Sequence, residues 1–322
     1  MKKKTAFDDK LARIGEIERE RPAGAAAELE GLLASKESYL VGRAAEAAAE
    51  LGLSALTAAL AAAFKRLAGG EQLDRGCLGA VAVIRALARL EAEVPECYLL
   101  GLRMVRREPS GPGFVDRATV VRIESALALV RTGHRRALVE VAPLLADPEA
   151  EVRAGAAQAI GAIGGDGAAA VLHLKLLSGD GDPEVLGACM TGLLHADAAR
   201  YLPIIAAALD GDDERLAEVA ALSLGDSRAE GALDALSRAL RSAPSDRLES
   251  TLLLGLGLLR SDAATARLFE VLAEAREATA IRALDALALQ KQVASVRERA
   301  ASIVAGRKSR RLDEALRQKL GT

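Results

Sequence analysis

A Val-Arg pair at positions 121 and 122 returns at 152 and 153, and an apolar residue keeps that place at Val185, Leu216, Leu248 and Ile281. The separations are 31, 33, 31, 32 and 33 residues. Eight positions further on the copies carry Leu129, Ile160, Leu193, Leu224, Leu256 and Leu289. Eight residues are about two helical turns, so the two members of each pair share one helix face. A period near 32 over more than half the chain means that each unit hides its apolar stripe only against its neighbours.

The clearest copy is residues 147–165, DPEAEVRAGAAQAIGAIGG. Asp147 suits an N-cap, Pro148 the first turn, and Glu149 and Glu151 the positive helix start. Val152, Ala156, Ala159, Ile160 and Ile163 recur at helical spacing until Gly164 and Gly165 stop the run. Second helices are expected over 134–146, 167–177, 199–209, 230–241 and 264–274, joined by short turns rich in Asp, Gly, Pro and Ser. The chain is 51% hydrophobic but only 2% aromatic, without Trp, so alanine and leucine must build the core from closely stacked helices. Strands would need more β-branched and aromatic residues.

Residues 1–107 repeat less regularly, with helices expected over 10–19 (a charged cap), 24–34, 39–51, 53–67, 78–90 and 95–107. Residues 108–116, with two prolines and two glycines close by, read as an irregular inter-repeat loop, or else as a hinge. Regular repeats then fill 117–306, and 307–322 form a basic closing helix of one continuous solenoid.

Val152-Arg153, Ala156-Ala157 and Ile160-Gly161-Ala162-Ile163-Gly164 resemble the HEAT-like repeat found also in phycobilin lyases. The resemblance, close over 115–304 and looser over 20–107, points to a bacterial HEAT-like repeat protein. It implies an all-α fold: an α-solenoid, a right-handed superhelix of antiparallel helix pairs of HEAT-like or armadillo type. In such proteins the repeat Arg joins a ladder of charges between units. Arg122, Arg153 and Arg282 keep it, whereas Leu186, Ala217 and Glu249 interrupt it.

No catalytic constellation is visible. HEAT-repeat metal hydroxylases use paired His-Glu dipeptides, and none of the three histidines, His134, His173 and His195, is followed by Glu. No metal site or cofactor is expected. Asp180-Gly-Asp182-Pro-Glu184 begins like a calcium loop but continues Val-Leu-Gly, so its acids read as helix caps. Cys77, Cys97 and Cys189 lack metal spacing and read as buried thiols of a reducing compartment. The basic N-terminus turns acidic at Asp8 and Asp9 without an apolar core behind it, and charges or glycines break every apolar run, so neither a secretory signal nor a membrane span is expected.

Net charge is −2, yet between 103 and 136 eight arginines face three acids. On a helix, Arg103, Arg106 and Arg107 would share one face. Tyr201 starts a second helix, the layer that lines the concave side of HEAT arrays, and Phe114 is a candidate exposed ring. The expected role is a cytoplasmic, non-catalytic scaffold for a protein partner with an acidic surface, contacted by Arg103, Arg106, Arg107, Arg135, Arg136, Glu140, His173 and Tyr201. The alternatives are a phycobilin-lyase-like enzyme or chaperone, which lacks a visible pigment signature, and a nucleic-acid binder, which the net charge and scarce aromatics disfavour.

Overall fold

The computed structural model describes residues 6–70 and 73–321; the basic start at 1–4 lies outside them. They form nineteen helices, a few short 3-10 turns and one hairpin, in two compact units, Met1–Ile163 and Gly164–Thr322. The first unit runs α1 (Ala6–Glu20), α2 (Ala25–Leu33), α3 (Ser38–Glu50), α4 (Thr57–Gly69), α5 (Leu78–Arg89) and α6 (Pro95–Leu102). Strands β1 (Arg107–Ser110) and β2 (Gly113–Asp116) follow, then α7 (Thr119–Arg131), α8 (Ala137–Val141) and α9 (Ala150–Ile163). The second unit runs α10 (Gly165–Ser178), α11 (Pro183–Ala196), α12 (Ala198–Ala207), α13 (Glu214–Ser227) and α14 (Ala232–Arg241). It closes with α15 (Asp246–Leu259), α16 (Asp262–Glu274), α17 (Glu277–Leu287), α18 (Ala294–Arg307) and α19 (Arg310–Leu320). Within each unit the odd-numbered helices pack on one another as a first layer and the even-numbered ones form a second. Each unit is therefore an α-solenoid of antiparallel helix pairs.

The repeat register holds at Val121, Val152, Val185 and Leu248, all buried, and at Leu129, Ile160, Leu193, Leu224 and Leu256, none of which is exposed at all. It slips by one at two copies. Leu216 and Ile281 are only half-buried, and Ala217 and Ala280 take the innermost place. Leu289, in the turn after α17, is exposed rather than buried. Small residues win that place because first-layer backbones come very close. A Cβ on Gly255 would stand 2.7 Å from the Ala221 carbonyl oxygen, and one on Gly257 2.7 Å from that of Ala286. In the first unit, a Cβ on Gly79 would stand 2.8 Å from the Ser38 oxygen.

Side chains join the repeats where backbones do not. Asp182, Asp197, Asp213, Ser245, Ser261 and Ser309 cap helices with their side chains. Ser245 and Ser309 also donate to Glu214 and Glu277 of the preceding repeat, while Thr279 donates to Glu249. Arg282 reaches Glu249 at 2.6 Å. A polar ladder thus runs through α13, α15, α17 and α19, carried by carboxylates and hydroxyls where the repeat Arg is missing. Asp180 accepts from the Asp182 amide at 2.9 Å and pairs with Lys175 at 2.7 Å, a structural use of the calcium-like acids.

Residues 108–116 are not irregular. They build the antiparallel β1–β2 hairpin, with Arg107 opposite Asp116 and Pro109 opposite Phe114. Its anchor is buried: Arg122 donates to Asp116 at 2.6 Å, to the Met104 oxygen at 2.6 Å and to Asp147 at 3.1 Å. Burial alone would raise the Asp116 pKa, but hydrogen bonds from the Arg106 and Ala118 amides and from Arg122 outweigh it and hold the carboxyl below its usual value.

Two predictions follow from this packing. Gly255→Val should destabilise the protein by about 2 kcal/mol or more by overpacking, whereas Gly306→Ala, with open space around it, should be neutral or stabilise by up to about 1 kcal/mol; urea unfolding reads both. For Asp116, the native state favours the charged form. Its contribution is therefore complete above the unfolded pKa of about 3.9 and disappears as pH falls through the lower folded value. Asp116→Asn should cost about 3 kcal/mol at neutral pH, and that difference from wild type should vanish in unfolding titrations carried to the acid side of the carboxylate range.

Candidate partner-binding surfaces

Helix α6 ends at Leu102, with Arg103 as its C-cap, instead of running on to 107. The amides of Arg103 and Met104 turn back to the Leu100 and Gly101 oxygens at 3.2 Å each, and the Arg106 amide goes to Asp116 at 2.8 Å. Arg103, Arg106 and Arg107 therefore do not share a helix face. Arg106 is only 5% exposed; it donates to the Gly70 and Ala68 oxygens at 3.0 and 3.2 Å. It closes the C-terminus of α4, where carbonyls lack partners and a cation is favoured, so it is withdrawn from any docking surface. Arg107 is an exposed residue of β1.

The other members of the basic group do meet. Arg103 reaches across from the end of α6 to Glu140 of α8 at 3.5 Å, and Arg136 reaches the same carboxylate at 3.9 Å. Arg135 stands exposed beside them. The same two helices each carry an exposed aliphatic side chain, Leu100 on α6 and Val139 on α8.

His173 and Tyr201 come together in the second unit. Residues 170, 173, 174 and 177 make one face of α10; Arg200 and Tyr201 face it from α12. Between the two helices runs an open groove of about 510 Å³, also lined by Asp166 and Asp197. The His173 ring meets Tyr201 edge-on at 5.3 Å, and the Arg200 guanidinium lies 5.5 Å from the centre of the same ring. Tyr201 itself is buried, a packing residue forming part of the groove wall. Leu174 and Leu177 are 66% and 74% exposed along it. Phe114 is exposed on the hairpin.

Sequence reasoning missed Leu100, Val139, Leu174, Leu177 and Arg200. A signal existed for the leucines: five of the seven residues of VLHLKLL at 171–177 are apolar and fall on several sides of the helix, interrupted only by His173 and Lys175, which is more apolar face than one neighbour can cover. The three cysteines are buried and unpaired. Burial pushes the thiol pKa of Cys77 and Cys97 up to about 11 and that of Cys189 to about 12, which leaves them protonated and weak as nucleophiles.

Residues 114–174 match the family model for HEAT repeats, which spans β2, α7, α8, α9 and most of α10. No curated protein matches the chain. Among solved structures, human deoxyhypusine hydroxylase in complex with glycerol is similar at 19% identity, with a TM-score of 0.32 over 83% of this chain and 97% of that one. HEAT-repeat similarity is thus confined to residues 114–174, within a chain whose two units are each built of stacked helix pairs.

Proposed function

We propose that the protein is a non-catalytic interaction scaffold whose second-layer helices hold a protein partner. The observation that carries this reading is the α10–α12 groove, where Leu174 and Leu177 remain exposed beside the His173–Tyr201 pair. Uncovered aliphatic groups along a concavity are what a partner's apolar side chains dock against. HEAT repeats act as binding surfaces more often than as catalysts, and a curved repeat offers contact area without a reactive centre. The cytoplasm suits three unpaired thiols. No helix among the described residues is long and apolar enough to cross a membrane.

The test is affinity capture from a native lysate with wild type and Leu174→Ser/Leu177→Ser side by side. Proteins retained by wild type and depleted about tenfold or more by the variant, with its melting temperature unchanged, are the expected result; each leucine removed from a docked interface is worth on the order of 1–2 kcal/mol. Equal retention by both would overturn the reading.

A further inference from the structure

We infer that the α6–α8 surface of the first unit is a second docking surface, selective for an acidic segment of a partner protein in which carboxylates alternate with apolar residues. The inference rests on the scaffold reading for its biological setting, but on different residues.

Its charge is unbalanced. Lys65 of α4 pairs with Glu96 of α6 at 3.5 Å, and Arg103 pairs with Glu140 of α8 at 3.5 Å. These bridges join three successive second-layer helices into one surface. Arg136 shares Glu140 at 3.9 Å, and Arg135 has no carboxylate partner among the described residues. Four cations thus stand against two carboxylates, and the Arg103 and Arg136 side chains are 76% and 70% exposed. At such exposure each bridge is weak and exchanges readily with carboxylates from outside. Planar guanidinium groups favour carboxylates through paired hydrogen bonds. Position adds the apolar requirement. Leu100 lies one turn before Arg103 at the end of α6, and Val139 is exposed on α8 just past Arg135 and Arg136, which precede that helix, so each exposed aliphatic group has arginines within four residues of it. Arg106, locked on the end of α4, takes no part.

The experiment is selection of random sixteen-residue peptides displayed on phage against the immobilised full chain, followed by affinity measurements on the enriched peptides. Enriched sequences should carry several Asp or Glu residues interleaved with Leu, Ile or Phe. Their affinity should fall about tenfold or more with Arg103→Glu/Arg136→Glu, and several-fold between about 50 and 300 mM salt. Arg103→Lys/Arg136→Lys, which keeps the charge but not the paired donors, should weaken binding measurably but less than the charge reversal, and Leu174→Ser/Leu177→Ser not at all. Should the charge reversal impair folding, Arg103→Gln/Arg136→Gln takes its place. No enrichment, enrichment of sequences without acids, or affinity indifferent to substitution of Arg103 and Arg136 would overturn the proposal. Peptides lost only with the leucine variant would overturn it while supporting the groove as a docking site.

Discussion

A helical hairpin of about thirty residues built from alanine and leucine has no interior of its own. Everything else in this protein answers to that constraint. Aliphatic side chains this small seal a core only when helix backbones come close, and the first layer brings them within reach of a single methyl group at Gly255, Gly257 and Gly79. Close approach removes room for side chains but leaves dispersion contacts between backbones, which accumulate over a long interface. It also makes the interior intolerant of added volume. That intolerance explains why the innermost place of two copies is held by Ala217 and Ala280 and not by the adjacent Leu216 and Ile281.

Helices packed this tightly still have ends, and their unpaired amides and carbonyls must be satisfied. The protein uses one device repeatedly: a side chain of one repeat serves the helix terminus or first turn of another. Ser245 accepts from the Leu248 amide at 3.0 Å while its hydroxyl proton goes to Glu214, one repeat back. Arg66 closes α2 through the Leu33 and Ser35 oxygens, Arg106 closes α4, and Arg307 meets Leu272 at the end of α16. Capping and stacking are therefore coupled. A repeat that loses its neighbour loses both its apolar cover and its terminal hydrogen bonds, so the stack resists fraying from within.

This coupling marks how far a sequence can be read. The period from 121 onward, the caps at Asp182 and Asp213 and the buried cysteines were apparent because each depends on residues close in sequence. The end of α6 was not. Residues 103–107 are good helix formers with no glycine or proline among them. After the local turn at Arg103 and Met104, Asp116 keeps the chain off a helical path: it takes the Arg106 amide from ten residues away and is itself held by Arg122. The same long-range network turned a Pro/Gly stretch into a hairpin and divided the basic cluster. Arg106 and Arg122 went inside, whereas Arg103, Arg135 and Arg136 stayed out. Composition counted eight like charges together, but burial sorted them by partner.

The two layers differ in what they leave uncovered, and the proposed docking surfaces lie where that difference is greatest. First-layer helices lie between neighbours of their own kind, and their apolar residues are largely buried. Second-layer helices are often shorter, α8 having only five residues and α14 ten, and their exposed groups include Leu100, Val139, Leu174 and Leu177. Burying one such side chain fully is worth about 1.5–3 kcal/mol. Leu100, Val139, Leu174 and Leu177 are between 39% and 74% exposed, so together they leave roughly 4–7 kcal/mol of burial unused. On the proposed scaffold reading a partner recovers it. In the proposed α6–α8 surface the arginines near Leu100 and Val139 would set which partners qualify, because an apolar patch attracts any greasy surface and a cationic rim rejects those without carboxylates to offer.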